Sequence, residues 1–243
     1  SAVFGFVILF PSIPKAFDIK AKQAILVDFD TGAELYEKNA DELMSPASMT
    51  KLMTVYLIFE RLKDGRLLLD DELNVSRKAW KKGGSKMFVE VGKQVRIEDL
   101  IRGIVVQSGN DATIVVAEGL SGSEEAFAQE MTTKARELGM SNSNFRNASG
   151  WPDPEHRTTA RDLAILTEAT IREFPDFYRY YAEATFSYSG IKQSNRNPLL
   201  GRYNGADGLK TGYTENAGYG LTSSATKNGR RLILVLNGMP SEK

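Results

Sequence analysis

The sequence predicts an α/β domain: an antiparallel sheet of about five strands, built from both ends of the chain around a long, mostly helical insert. Three observations carry this expectation. Strand-like runs at residues 23–29 and 33–36 flank the turn Asp30-Thr31-Gly32 and read as an opening hairpin. From about residue 46 to 171 the apolar residues recur mainly at helical spacing. After residue 205 the pattern returns to strands at 208–214, 218–225 and 231–237, and Lys227-Asn228-Gly229-Arg230 forms an Asn-Gly hairpin turn between the last two. The expected boundaries are an N-terminal arm at 1–20 and one domain at 21–243. Its sheet lobe comprises 21–40 and 205–240, its helical lobe 41–204, with a site in the crevice between them.

Composition narrows the function. At 243 residues and 42% apolar content the chain can bury a substantial core. Thirty-one basic residues balance thirty-one acidic ones without long runs, which argues against a nucleic-acid partner. The absence of cysteine excludes disulfide scaffolds and thiolate chemistry. The one histidine, His156, excludes a zinc site made of two or three histidines. It stands in the polar stretch Trp151-Pro152-Asp153-Pro154-Glu155-His156-Arg157 and reads as a surface-loop residue.

Residues 1–10 are an apolar run too short to span a bilayer. They read either as the remainder of an export signal or as an arm that packs on the domain or a neighbour. Past the opening hairpin, Ser45 is placed to cap a helix with Pro46 at its first position. An apolar series at Leu52, Val55, Tyr56, Phe59 and Leu62 continues that helix to Lys63-Asp64-Gly65. Residues 66–95 are mixed, with strand-like pieces at 72–75 and 87–89 around a Gly83-Gly84-Ser85 break. Two buried-looking helices follow, one through Ile97, Leu100, Ile101, Ile104 and Val105 and one from Asp111 to Glu118, joined by the polar turn Gln107-Ser108-Gly109-Asn110. Further helices are expected at 123–138 and 159–171.

Three short motifs supply chemistry. Ser48 and Lys51 fall on one face of the first helix, so the amine can take the hydroxyl proton of a nucleophilic serine. In the first turn, unpaired N–H groups and the positive dipole end favour oxyanion charge. Ser108 can pass the proton to a leaving amine, and the Asn110 amide can hold a substrate carbonyl. Lys210 brings a charge that depresses the Lys51 pKa and attracts a substrate carboxylate, to which Thr211 adds a hydroxyl. Gly212 lets a ligand backbone approach the strand. The N–H of Tyr213, with that of Ser48, makes a two-donor oxyanion hole.

The set Ser-x-x-Lys, Ser-x-Asn and Lys-Thr-Gly resembles that of penicillin-binding proteins and class A β-lactamases. More closely, Pro46-Ala47-Ser48-Met49-Thr50-Lys51-Leu52-Met53-Thr54, residues 100–103 through 107–112, and Asp207-Gly208-Leu209-Lys210-Thr211-Gly212 look like the low-molecular-mass D-alanyl-D-alanine carboxypeptidases. Residues 157–162 and Gln193-Ser194-Asn195-Arg196-Asn197 extend the similarity, which covers about 21–240. The resemblance implies a β-lactamase/transpeptidase-like fold and a serine D,D-carboxypeptidase. Ser48, Lys51 and Ser108 would be catalytic, and Asn110, Lys210, Thr211, Gly212 and Tyr213 would bind substrate. It implies a peptidoglycan stem peptide as substrate and β-lactam antibiotics as inhibitors. No metal or cofactor is implied. It also implies an exported location, periplasmic or on the outer face of the cytoplasmic membrane, with membrane association only in a full-length protein.

The chain departs from that pattern in three ways. Relatives continue into a C-terminal helix and often a second domain, whereas this sequence stops at Lys243; either it is truncated or something else covers the sheet face, and the 2–10 arm, of this molecule or a neighbour, is expected to do so. Tyr213 stands where many relatives have histidine. Asn237-Gly238-Met239-Pro240 replaces a carboxylate-binding arginine, leaving that task to Lys210 and Thr211. The motifs also suit a D,D-endopeptidase, a β-lactamase or a non-hydrolytic penicillin sensor. No Glu-x-x-Leu-Asn sequence for β-lactam release occurs between 140 and 175.

Overall fold

The computed structural model describes residues 19–241; the arm at 1–10 lies outside them. The five-stranded sheet comprises β1 (Gln23–Asp28), β2 (Glu34–Lys38), β7 (Ala206–Thr214), β8 (Gly218–Lys227) and β9 (Arg230–Met239). It is antiparallel throughout, in the order β2-β1-β9-β8-β7. The β8–β9 turn has the positive φ values that an Asn-Gly pair tolerates, 53° at Asn228 and 77° at Gly229, and it sets Lys227 opposite Arg230. Paired with β8 alone, β7 lies at the sheet edge, where it borders the helical residues.

The first helix differs from the expectation in how it begins. Ala47–Thr50 form a 310 turn, and the α-helix α1 runs only from Lys51 to Lys63. Ser45 is not its cap: Pro46 precedes the turn, which has no side-chain cap bond. Tertiary packing overrides the local capping preference here, because the turn is wedged between Gly212 of β7 and Gly150. From Leu52 to Phe59, α1 is buried on all sides, with Leu52, Met53, Val55, Tyr56, Leu57, Ile58 and Phe59 each at most 1% exposed. A helix buried all round is the centre of a core. Around it stand α3 (Ile97–Val105), α4 (Asn110–Ser121), α5 (Glu124–Glu137) and α6 (Ala160–Glu173), with a short α2 (Arg77–Lys81) and α7 (Pro175–Tyr178). Ser123 and Thr159 cap α5 and α6 through their hydroxyls.

Two further strand assignments change. Residues 87–89 are not a strand; β3 (Glu72–Asn74) pairs instead with β4 (Gln94–Arg96). The amides of Met87, Phe88 and Val89 are taken by the Asp111 carboxylate at 2.8, 2.8 and 3.2 Å, which leaves no donors for a ladder. Residues 175–194, where the sequence pattern marks no strand, form α7, a 310 turn at Arg179–Ala182 and a hairpin of β5 (Thr185–Tyr188) with β6 (Ile191–Ser194).

Candidate active site

The 310 turn and the start of α1 place Ser48 and Lys51 together, since side chains three residues apart nearly eclipse in such a turn. Lys51 Nζ lies 2.8 Å from Ser48 Oγ, 2.8 Å from Asn110 Oδ1 and 2.6 Å from the Ser149 carbonyl. The lysine is 1% exposed, and its amine hydrogen-bonds to no carboxylate among the described residues. Burial first, then the charges of Lys210, Arg196 and Lys82, hold its pKa well below the usual lysine range. A neutral amine has two hydrogens and one lone pair. The two carbonyl oxygens accept the hydrogens, and the lone pair is left for the Ser48 hydroxyl, which is the arrangement a general base requires.

Ser108 closes another side. It sits between α3 and α4 with φ at 59°, a left-handed conformation rare for serine, and its Oγ, though buried, has no hydrogen-bond partner among the described residues. Asn110 opens α4, and both ends of its amide are engaged: Oδ1 receives Lys51, while Nδ2 donates to the Gly83 carbonyl at 2.9 Å. Its first task is therefore to hold the amine and the 83–85 loop, with one N–H left for a ligand.

The third side is β7. Lys210 is 3% exposed, and burial together with the Arg196 charge lowers its pKa to about 7. Its Nζ donates to the Thr211 carbonyl at 3.0 Å. Gly212 has a further reason besides the one expected. A Cβ there would come within 2.9 Å of the Pro46 carbonyl and 3.2 Å of the Ala47 side chain, so glycine also admits the turn that carries Ser48, while it borders one of the compartments beside it. Tyr213 is half exposed, its ring 4.3 Å from that of Tyr219. As β7 is an edge strand, alternate backbone amides along it are free of β8.

Two compartments meet at Ser48. One, of about 220 Å³, is lined by Ser48, Ser108, Arg196, Thr211, Gly212 and Met239 among others. The other, of about 720 Å³, is lined by Ser48, Asn110, Ser149, Trp151, Tyr213 and Glu215 among others. Ser48, Ser85 and Tyr213 border both. Among the described residues no cluster of three histidine, aspartate or glutamate side chains is arranged to hold a metal.

Sequence reasoning missed several of these parts. Arg196 was within the recognised Gln193–Asn197 stretch but had no assigned role; it lines the smaller compartment, and its Nη1 donates to Ser85 Oγ at 2.7 Å. Ser149 acts through its carbonyl, which no side-chain motif reports. His156 is not a surface residue: it is 2% exposed, beneath the nucleophile turn. The prolines and charges around it suggested solvent, yet only its neighbours reach the surface.

Residues 11–241 match the family model described as D-alanyl-D-alanine carboxypeptidase. The chain is 41% identical to the D-alanyl-D-alanine carboxypeptidase DacA of Haemophilus influenzae over 230 residues, covering 93% of this chain and 58% of that protein. The chain thus spans less than two thirds of that relative's length. Among solved structures it is similar to penicillin-binding protein 5 of Haemophilus influenzae, with a TM-score of 0.90 and 40% identity over 93% of this chain and 67% of that one. It is also similar to the ampicillin-bound form of penicillin-binding protein D2 of Listeria monocytogenes, with a TM-score of 0.85 and 30% identity over 93% of both chains.

Proposed function

The chain belongs to the D-alanyl-D-alanine carboxypeptidase family, and from that premise we propose that it is a serine D,D-carboxypeptidase that removes the terminal D-alanine from peptidoglycan stem peptides. The observation that carries this reading is the Lys51 amine, buried, with its pKa held well below the usual lysine range, and 2.8 Å from Ser48 Oγ.

In the proposed reaction Lys51 accepts the Ser48 proton as Oγ attacks the carbonyl carbon of the penultimate D-alanine. The backbone N–H groups of Ser48 and Tyr213 take the oxyanion. When the tetrahedral intermediate collapses, the C–N bond breaks. The proton on Lys51 passes through Ser108, whose hydroxyl is otherwise unpartnered, to the departing D-alanine nitrogen. Water then attacks the ester, Lys51 takes its proton, and Ser48 is regenerated. Gly212 keeps β7 against the nucleophile turn while the substrate lies along the strand edge. The terminal carboxylate is met by Thr211, Lys210 and Arg196. Of these only the guanidinium is charged at every physiological pH, since Lys210 titrates near 7.

The same attack on a lactam amide gives a penicilloyl ester on Ser48, so β-lactams are expected inhibitors; an ampicillin complex of a relative supports this. An exported location follows from the substrate. No helix among the described residues is long and apolar enough to cross a membrane.

The test is the intact mass after exposure to benzylpenicillin, taken within minutes and again after hours, with Ser48→Ala as control. A lasting adduct on Ser48 together with D-alanine release from a D-alanyl-D-alanine peptide supports the proposal. A lasting adduct without release indicates a sensor, rapid loss of the adduct with penicillin consumed indicates a β-lactamase, and no adduct refutes the assignment of Ser48.

A further inference from the structure

The one histidine plays no part in the chemistry above, yet it is buried beside it. We infer that His156 is a positioning residue for the Lys51 amine in the acyl transfer proposed above, tying the nucleophile turn, through Thr50, to the loop whose Ser149 carbonyl receives the Lys51 N–H.

The geometry fixes its protonation. His156 Nδ1 accepts the backbone N–H of Arg146 at 3.2 Å, so the ring hydrogen is on Nε2, which donates to Thr50 Oγ1 at 2.9 Å. Thr50 is fully buried and stands between Ser48 and Lys51. The ring meets Phe145 edge-on at 5.6 Å. From the same loop the Ala148 carbonyl accepts Thr54 Oγ1 at 2.7 Å and the Ser149 carbonyl accepts Lys51 Nζ at 2.6 Å. Asn147 Oδ1 gathers the amides of Ser149, Gly150 and Trp151 at 2.8 to 3.2 Å, so the loop moves as a unit. Within the loop the His156 imidazole is the side chain that reaches back to the turn carrying the nucleophile.

A doubly protonated ring would set one N–H against the Arg146 N–H. Burial chiefly, opposed by the charge of Asp153 and aided by those of Arg157 and Arg146, keeps His156 neutral down to about pH 4. The tie is therefore intact wherever Lys51 works as a base. If it is cut, the carbonyl of Ser149 is free to drift and water reaches the amine. Relief of burial, the main cause of the low Lys51 pKa, then raises that pKa.

The experiment compares Thr50→Val, which keeps the shape but removes the acceptor, His156→Phe, which keeps the ring, and His156→Gln, which can both donate and accept. Acylation by a fluorescent penicillin is followed across pH, D-alanine release gives kcat and KM, thermal melting reports folding, and NMR of lysine labelled at Cε with carbon-13 reads the Lys51 titration. The expected result is acylation slowed on the order of tenfold to a hundredfold in the Val and Phe variants, through kcat rather than KM. The Lys51 titration moves to higher pH in both, and the Gln variant stays within a few-fold of wild type. Wild-type rates with an unmoved titration in Val and Phe overturn the inference. So does equal loss in all three with an unmoved titration, which is a structural role only. If the wild type is neither acylated nor hydrolytic, the proposed reaction fails, while the NMR titrations still decide whether His156 positions the amine.

Discussion

Lys51 Nζ and the Ser149 carbonyl oxygen are 2.6 Å apart, and with Asn110 Oδ1 this carbonyl takes up both hydrogens of a neutral amine. The lone pair is thereby aimed at Ser48. Acylation depends on the unprotonated fraction, and the folded pKa of Lys51 is depressed. The acylation rate is thus expected to fall about tenfold per pH unit below that pKa and to level off above it, well short of the pH at which an ordinary lysine is neutral. Lys51→Arg, whose side chain stays protonated, abolishes acylation at every pH. Stopped-flow acylation over pH checks both.

Ser108 combines an unpartnered hydroxyl with a positive φ. Removing the hydroxyl breaks no bond, so Ser108→Ala keeps stability within about 0.5 kcal/mol of wild type. Its D-alanine release drops steeply because the proton path is cut. Ser108→Gly relieves the backbone strain and raises stability by roughly 1 kcal/mol, with the same loss of turnover. Denaturant melts and turnover assays on the same samples separate the two effects.

Arg196 is held by a hydroxyl and lines the smaller compartment with Thr211 and Ser108. A guanidinium facing a substrate carboxylate contributes about 1.5–3 kcal/mol. The wild type is accordingly expected to prefer a peptide ending in a carboxylate over its carboxamide by about tenfold to a hundredfold in kcat/KM. Arg196→Gln loses most of that preference. Its charge also depresses the pKa of Lys51 and Lys210, so the same variant moves the acid limb of the pH profile upward.

The buried His156 makes a stability prediction with a definite sign. Its folded pKa of about 4 lies below the ordinary imidazole value of 6.5, so between these values the unfolded chain binds the extra proton. Stability is complete above pH 6.5 and falls as the pH drops toward 4, by roughly 3 kcal/mol in all. Urea titrations at pH 7 and pH 4.5 are expected to show a smaller acid loss in His156→Gln than in wild type.

Gly150 lies against the nucleophile turn with φ at 81°. A Cβ there would overlap the Ala47 carbonyl and press Thr50 Oγ1, on backbone that cannot yield. Gly150→Ala is expected to destabilise by several kcal/mol and to reduce acylation of what folds, because it displaces the turn from Gly212 as well. Gly122→Ala, also at positive φ but with open space around it, costs only about 1–2 kcal/mol and leaves acylation unchanged.

The sheet and the long helices were legible because their causes are local. The apolar strand runs, the Asn228-Gly229 turn, the Ser123 and Thr159 caps and the mostly apolar Leu52–Phe59 run each act within a few residues. Residues 87–89 misread for the opposite reason: their amides answer to Asp111, more than twenty residues away.

At the site the sequence by itself determined which groups are present: the Ser48-Lys51 pair, Ser108-x-Asn110 and Lys210-Thr211-Gly212, with the spacing that puts serine and lysine on one face. Tertiary structure decided what those groups do. Burial holds the Lys51 pKa well below the usual lysine range and lowers that of Lys210 to about 7. A carbonyl from Ser149 decides where the lone pair points. Packing against Gly150 and Gly212 decides that the nucleophile rides a 310 turn rather than the first turn of the α-helix. His156 and Arg196 drew their positions from the fold alone. Desolvation and the placing of backbone oxygens depend on groups distant in the chain, and no local pattern encodes them.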